Sequence, residues 1–143
     1  MIALASGYLL DTNVVSELRK NKPHGAVVAW VKTIPASRLF VSAFTVAELQ
    51  AGVESLRDRD AAKADELETW IDAACATWSV LPLDATCCRQ WAREMKGRPD
   101  ALFEDAFLVA TARVHGMTVV TRNTKDFAQF DLPILNPFLY QGA

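Results

Sequence analysis

Four acidic residues, Asp11, Glu48, Asp105 and Asp126, each follow a short apolar run or fall early in the helix after it. Asp11 closes Gly7-Tyr8-Leu9-Leu10, and Glu48 follows Leu39-Phe40-Val41-Ser42. Asp105 opens the stretch from Phe103 to Val114, and Asp126 follows Thr118-Val119-Val120-Thr121. In an open parallel α/β sheet the carboxyl ends of the strands share one edge, so residues distant in sequence meet there. Carboxylates gathered in one place repel unless a cation joins them. Hard oxygen donors without clustered Cys or His select Mg²⁺ or Mn²⁺, as one or two ions. An ion of that kind can lower the pKa of a bound water and make it a nucleophile.

Each acid also has a duller explanation. Thr45-Val46-Ala47-Glu48 has the Thr-x-x-Glu form of a capping box, in which Glu48 bonds back to the Thr45 amide. Asp11 can cap the helix that follows it, and Asp105 and Asp126 can complement the positive ends of theirs. Caps do not require a strand before them each time, so the repetition favours a site. Helix N-termini at such an edge also suit phosphate.

Short apolar runs alternate with longer helical ones. Strands are expected at Tyr8-Leu10, Leu39-Ser42, Val80-Leu83, Thr118-Thr121 and Ile134-Leu135, short and continuous as in a sheet covered on both faces. Helices are expected at Thr12-Lys20, Pro23-Lys32 with Pro23 at the first helical position, Thr45 to Leu56, Asp60-Thr77, Ala85-Lys96 and Leu102-His115, the last capped by Gly116. This alternation predicts βαβ units and a three-layer α/β fold with a central parallel sheet. The two helices between the second and third strands are expected to form a projecting hairpin. Its apolar stripe (Val46, Leu49, Val53, Leu67, Trp70, Ile71, Ala74) is a candidate dimer surface.

At 143 residues the chain is expected to form one domain, and its 51% apolar and 22% charged composition is globular. No apolar run reaches the ~18 residues of a membrane span. The opening Met1-Ile2-Ala3-Leu4-Ala5 lacks a cationic region and reads as part of the first strand rather than a signal peptide. A cytoplasmic protein follows. Cys75, Cys87 and Cys88 are odd in number and lack Cys-x-x-Cys spacing, so they read as reduced core residues. A net charge of -2 excludes a large basic field for holding nucleic acid. Arg89, Arg93, Lys96 and Arg98 read as a solvated helix face.

Other chemistries lack their parts. No Ser-His-Asp set and no Gly-rich phosphate loop is visible, and His24 and His115 read as surface residues. Leu9-Leu10-Asp11-Thr12-Asn13 suggests a haloacid-dehalogenase-like phosphatase, but Asn13 stands where that chemistry needs a second Asp. A receiver-type phospho-acceptor would rest on fold analogy alone.

Four blocks in order, Leu10-Asp11-Thr12-Asn13-Val14-Val15-Ser16-Glu17, Val46-Ala47-Glu48-Leu49, Glu104-Asp105-Ala106 leading into Ala110-Thr111-Ala112, and Thr121-Arg122-Asn123-Thr124-Lys125-Asp126-Phe127, resemble those of PIN-domain proteins. The likeness is to the VapC-like ribonuclease toxins of toxin–antitoxin pairs, with their FitB-like branch, and spans Leu9 to Pro137. The resemblance implies that Asp11, Glu48 and Asp105 bind the metal. A fourth acid stands in some relatives where Asn123 lies and in others where Asp126 lies; only Asp126 is acidic here. Thr12, Asn13, Ser42 and Asn123 look like residues that orient carboxylates and water. Glu104, beside Asp105, reads as pointing elsewhere. The family likeness implies RNA cleavage leaving a 5′-phosphate and a 3′-hydroxyl, a homodimer, and an antitoxin whose segment folds on binding and sends an Arg or Lys into the acids. The competing reading is a PIN fold that binds RNA or a partner without cutting; it would gain if an acid were missing, and none is.

Overall fold

A computed structural model describes residues 7–142; the reading of Met1 to Ala5 falls outside them. Five parallel strands, β1 (Tyr8–Leu10), β2 (Leu39–Ser42), β3 (Ser79–Leu81), β4 (Thr118–Val120) and β5 (Ile134–Leu135), form one sheet in the order β3-β2-β1-β4-β5. β1 is central, with Tyr8 beside both Leu39 and Thr118. The order reverses between β1 and β4, so the crevice where ligands bind in such sheets opens there.

Successive strand residues face opposite sides, which separates the core into two layers. Leu9 and Val119 pack with Leu102, Ala106, Val109, Phe127 and Phe130 on one face. Leu10 and Val120 pack with Val14, Val15, Val27, Trp30 and Phe138 on the other. Around them run α1 (Thr12–Arg19), α2 (Gly25–Lys32), α3 (Ala43–Arg57), α4 (Ala61–Thr77), α5 (Ala85–Met95), α6 (Phe103–His115) and α7 (Thr124–Phe127). This is the expected three-layer α/β architecture, and Gly116 ends α6 in the left-handed region at φ 66°.

Several boundaries differ from expectation. α3 begins at Ala43, because the Ser42 hydroxyl accepts from Phe44 N–H (3.0 Å) and caps the helix. The Thr45–Glu48 capping box therefore does not exist, and Glu48 lies in the second turn. α2 starts at Gly25 instead of Pro23, since His24 Nδ1 accepts from Ala26 N–H (3.2 Å). β3 ends at Leu81; Pro82 has no N–H to continue a ladder. β4 ends at Val120, leaving Thr121 free to point its hydroxyl at the acids.

Four side-chain readings also change. The hairpin stripe is largely consumed internally: Val53 and Ile71 are buried with Ala64, and Leu49, Leu67 and Trp70 pack against them. The exposed apolar surface falls elsewhere, with Phe103 43% exposed on α6. There Phe107 stacks between Trp91 and Phe44 at centroid distances of 4.7 and 5.0 Å. Of the cysteines only Cys87 is buried; Cys75 is half-buried and Cys88 exposed. His115 is half-buried, with Nε2 enclosed and unbonded. Within the basic run, Arg98 works in the fold, donating to Glu94 O (2.6 Å) and Gln129 O (3.0 Å) over the Phe130 ring.

Candidate active site

Asp11 sits at the end of β1 and caps α1. Its Oδ1 accepts from Thr12 N–H (2.7 Å). Its Oδ2 accepts from the Thr121 hydroxyl (2.7 Å) and Asn13 Nδ2 (3.2 Å). Cap and site are therefore one residue. Burial raises its pKa above the ordinary carboxylate range against those hydrogen bonds, and the Glu104 charge adds to the rise.

Glu48 reaches the same edge from α3, where its Oε1 accepts from the Thr12 hydroxyl (2.7 Å). Burial pushes its carboxyl up too, with the neighbouring Glu104 and Asp11 charges contributing. Asp105 enters from the first turn of α6. Its carboxyl takes no protein hydrogen bond among the described residues, and α6 has no side-chain cap, so capping does not explain it. Burial, reinforced by the Asp11, Asp126 and Glu104 charges, pushes it up to about 6.

Asp126, in α7, accepts from Asn123 Nδ2 (3.0 Å) and adds to the field at Asp105. Asn123 thus directs its amide at the Asp126 carboxylate, and its own N–H donates to Thr121 Oγ1 (2.9 Å). Glu104 does not point elsewhere as expected: it lies close enough to Asp11, Glu48 and Asp105 for its charge to raise all three carboxyls. Among the orienting residues, Thr12 and Asn13 contact carboxylates directly. Ser42 is fully buried and spends its hydroxyl on the α3 cap, so it acts on Glu48 only by setting where α3 begins.

Thr121 is the residue the sequence reading missed. Fully buried, it bonds Asp11, Asn13 and Asn123 at once. Its signal in the sequence is a polar residue closing an otherwise apolar run, which suits the end of a strand equally well.

The donor set fits a hard divalent cation, being carboxylate oxygen throughout. As they stand, no three His, Cys, Asp or Glu side chains among the described residues converge tightly enough to enclose one ion. The carboxylates repel one another in the absence of a cation, and a bound cation would relieve that repulsion. Replacing Thr12 by Val is expected to weaken Mn²⁺ binding about 10- to 100-fold, since it frees Glu48 from its orienting hydroxyl. Calorimetric titration checks this, and unchanged affinity would show that Thr12 leaves the metal site untouched.

The comparisons agree with this geometry. The PIN domain family model matches residues 8–132. The chain is 38% identical to the VapC ribonuclease Y4jK of Sinorhizobium fredii, over 91% of this chain and 96% of that protein. It is 34% identical to Toxin FitB of Neisseria gonorrhoeae, over 91% and 97%. The crystal structure of FitAcB from Neisseria gonorrhoeae superimposes with a TM-score of 0.81 at 33% identity, covering 92% of this chain and 99% of that one. The chain therefore belongs to the PIN-domain family and groups with its VapC and FitB members.

Proposed function

We propose that this chain is an endoribonuclease that depends on Mg²⁺ or Mn²⁺ and acts as the toxin of a toxin–antitoxin pair. The observation that carries the proposal is the gathering of Asp11, Glu48, Asp105 and Asp126 at the switch point of the sheet, with the Asp105 carboxyl unbonded among the described residues. The cation supplies Lewis acidity, lowering the pKa of an attacking water and offsetting charge on the leaving oxygen. The chain supplies the rest. Thr12, Asn13, Thr121 and Asn123 fix the carboxylates, and the positive ends of α1 and α6 favour a phosphate at this edge. The names of the relatives, ribonuclease and toxin among them, support the reading.

Purified chain is expected to cut single-stranded RNA with Mg²⁺ or Mn²⁺, to stop with EDTA, and to leave 5′-phosphate and 3′-hydroxyl ends. Cyclic-phosphate ends would exclude a metal-activated water. RNA binding without cleavage in either metal would favour the non-cutting module.

A groove leads away from the acids and suits the antitoxin. Thr12, Ser16, Arg19, Glu48, Leu49 and Leu67 line a hollow of about 220 Å³. Arg19 and Leu67 also border a hollow of about 580 Å³ alongside Lys63 and Trp70. An amphipathic segment laid along it would bring a basic side chain to Glu48, where it relieves the same repulsion as a cation. The exposed aromatic face around Phe103 joins the partly buried hairpin stripe as a candidate dimer surface. Co-expression with the neighbouring small reading frame is expected to rescue growth and yield a complex with this chain in pairs. A chain harmless alone that captures no small partner would sink the toxin assignment.

A further inference from the structure

The ribonuclease reading leaves one problem unsolved. Glu48, Glu104, Asp105 and Asp126 repel a polyanion as strongly as they attract a cation, and a net charge of -2 supplies no compensating field. A cation held at the rim would solve it locally.

Arg122 stands there. Its backbone N–H donates to Asn13 Oδ1 (3.2 Å), and Asn13 Nδ2 donates to Asp11 Oδ2 (3.2 Å), so one side chain couples its main chain to the acid site. Its guanidinium carbon lies 4.3 Å from the centroid of the Phe138 ring. That ring is itself fixed. It is 9% exposed, the His24 ring meets it edge-on at 5.3 Å, and Asn136 Oδ1 accepts from Phe138 N–H (3.0 Å).

Stacking occupies the face of a guanidinium and leaves its in-plane donors free. Three arginines, in contrast, spend theirs within the fold: Arg57 on Glu54, Asp65 and Glu68, Arg113 on Glu94 and two carbonyls, Arg98 on two carbonyls. Arg122 is exposed and makes no ion pair or side-chain hydrogen bond among the described residues. A guanidinium held over a buried ring, exposed and without a hydrogen bond of its own among the described residues, keeps its donors available for a phosphate.

We propose that Arg122, stacked on Phe138, is a phosphate-binding residue that grips the substrate's RNA backbone at a nucleotide neighbouring the one that is cut. This rests on the ribonuclease reading for its substrate. It adds a backbone contact that carries no base specificity.

The test separates this role from mere clamping of the C-terminal segment. Arg122→Met keeps an apolar stem on Phe138 and removes the charge; Arg122→Lys keeps the charge. Binding of a labelled single-stranded oligoribonucleotide is measured by anisotropy in EDTA across a salt series, with melting temperatures alongside. Arg122→Met is expected to weaken binding about tenfold and to lower the salt slope by about 0.7, the share of one phosphate on a single strand. Its melting temperature stays at the wild-type value, Arg122→Lys recovers the slope, and in the Mn²⁺ assay KM rises while kcat holds. Wild-type affinity and slope in Arg122→Met would overturn the proposal. So would intact RNA binding with weakened binding of the co-expressed small protein, which would assign the cation to a protein carboxylate. Metal-dependent cleavage by the wild type decides the ribonuclease reading separately: RNA bound but never cut, with a slope that depends on Arg122, would sink that reading alone.

Discussion

Asp105→Asn is expected to reduce RNA cleavage about a thousandfold or more while making the metal-free protein more stable. The activity loss follows from geometry, since Asp105 is the one of the four acids without a hydrogen-bond donor among the described residues and its replacement amide is a poor ligand for a hard cation. The stability gain follows from the direction of its pKa. Folding raises this carboxyl from 3.8 to about 6, so the folded state holds the proton more tightly than the unfolded one. Stability therefore falls as pH rises from about 4 to 6, and above that window the ionised group is a liability in the absence of metal. After allowance for solvent screening, its removal returns on the order of 1–2 kcal/mol. Melts at pH 7 with EDTA and with Mn²⁺ check both halves: the mutant melts higher than wild type in EDTA and gains less from Mn²⁺. A mutant that is destabilised in EDTA, or that cuts RNA at the wild-type rate, contradicts the assignment.

The second large effect lies away from the acids. Glu94→Ala is expected to lower the melting temperature by about 10 °C. Glu94 is buried on α5, where Oε2 accepts from Arg113 Nε of α6 and from Gln90 Nε2 (2.8 Å). Arg113 continues to the carbonyls of Phe130 and Asp131, so one ion pair ties α5, α6 and the turn after α7 together. Truncating Glu94 strands a half-buried guanidinium, at a cost of about 2–4 kcal/mol. The exposed Arg57 network with Glu54, Asp65 and Glu68 offers the control, for Arg57→Ala should cost ~1 kcal/mol or less. Equal melting shifts for the two mutants would refute the contrast.

Much of this was legible in the residues because parallel strands covered on both faces announce themselves as apolar runs. β1, β2 and β5 fall where Tyr8-Leu10, Leu39-Ser42 and Ile134-Leu135 place them. Where the reading slipped, a local signal had two meanings. Thr45 and Glu48 have capping-box spacing, yet Ser42 starts the helix three residues earlier, and that shift is what lets Glu48 reach Thr12 instead of its own backbone. Glu104 was misjudged because helical spacing separates neighbours by about 100° but says nothing of how wide the crevice is. Thr121 was hidden because β-branched threonine suits a strand as well as a site. Arg122 could not have been singled out at all, since its ring partner lies 16 positions away and only the fold brings Phe138 beneath it.

The pairing of β4 with β1 has a consequence in time. Asp11 depends on two groups from the far end of the chain, donating its N–H to Val120 O (2.9 Å) and accepting from the Thr121 hydroxyl. No stretch of chain that ends before Asp126 holds the four acids, and β1 lacks one of its two neighbours until β4 has been made. Contacts of such long sequence separation form late. A ribosome adding ~5–20 residues per second needs on the order of ten seconds to finish this chain, and for most of that interval the growing polypeptide lacks at least one of the four acids. On the toxin reading, the site and the surface that its partner must cover are completed together, at the end of synthesis, when a segment that folds on binding can meet them.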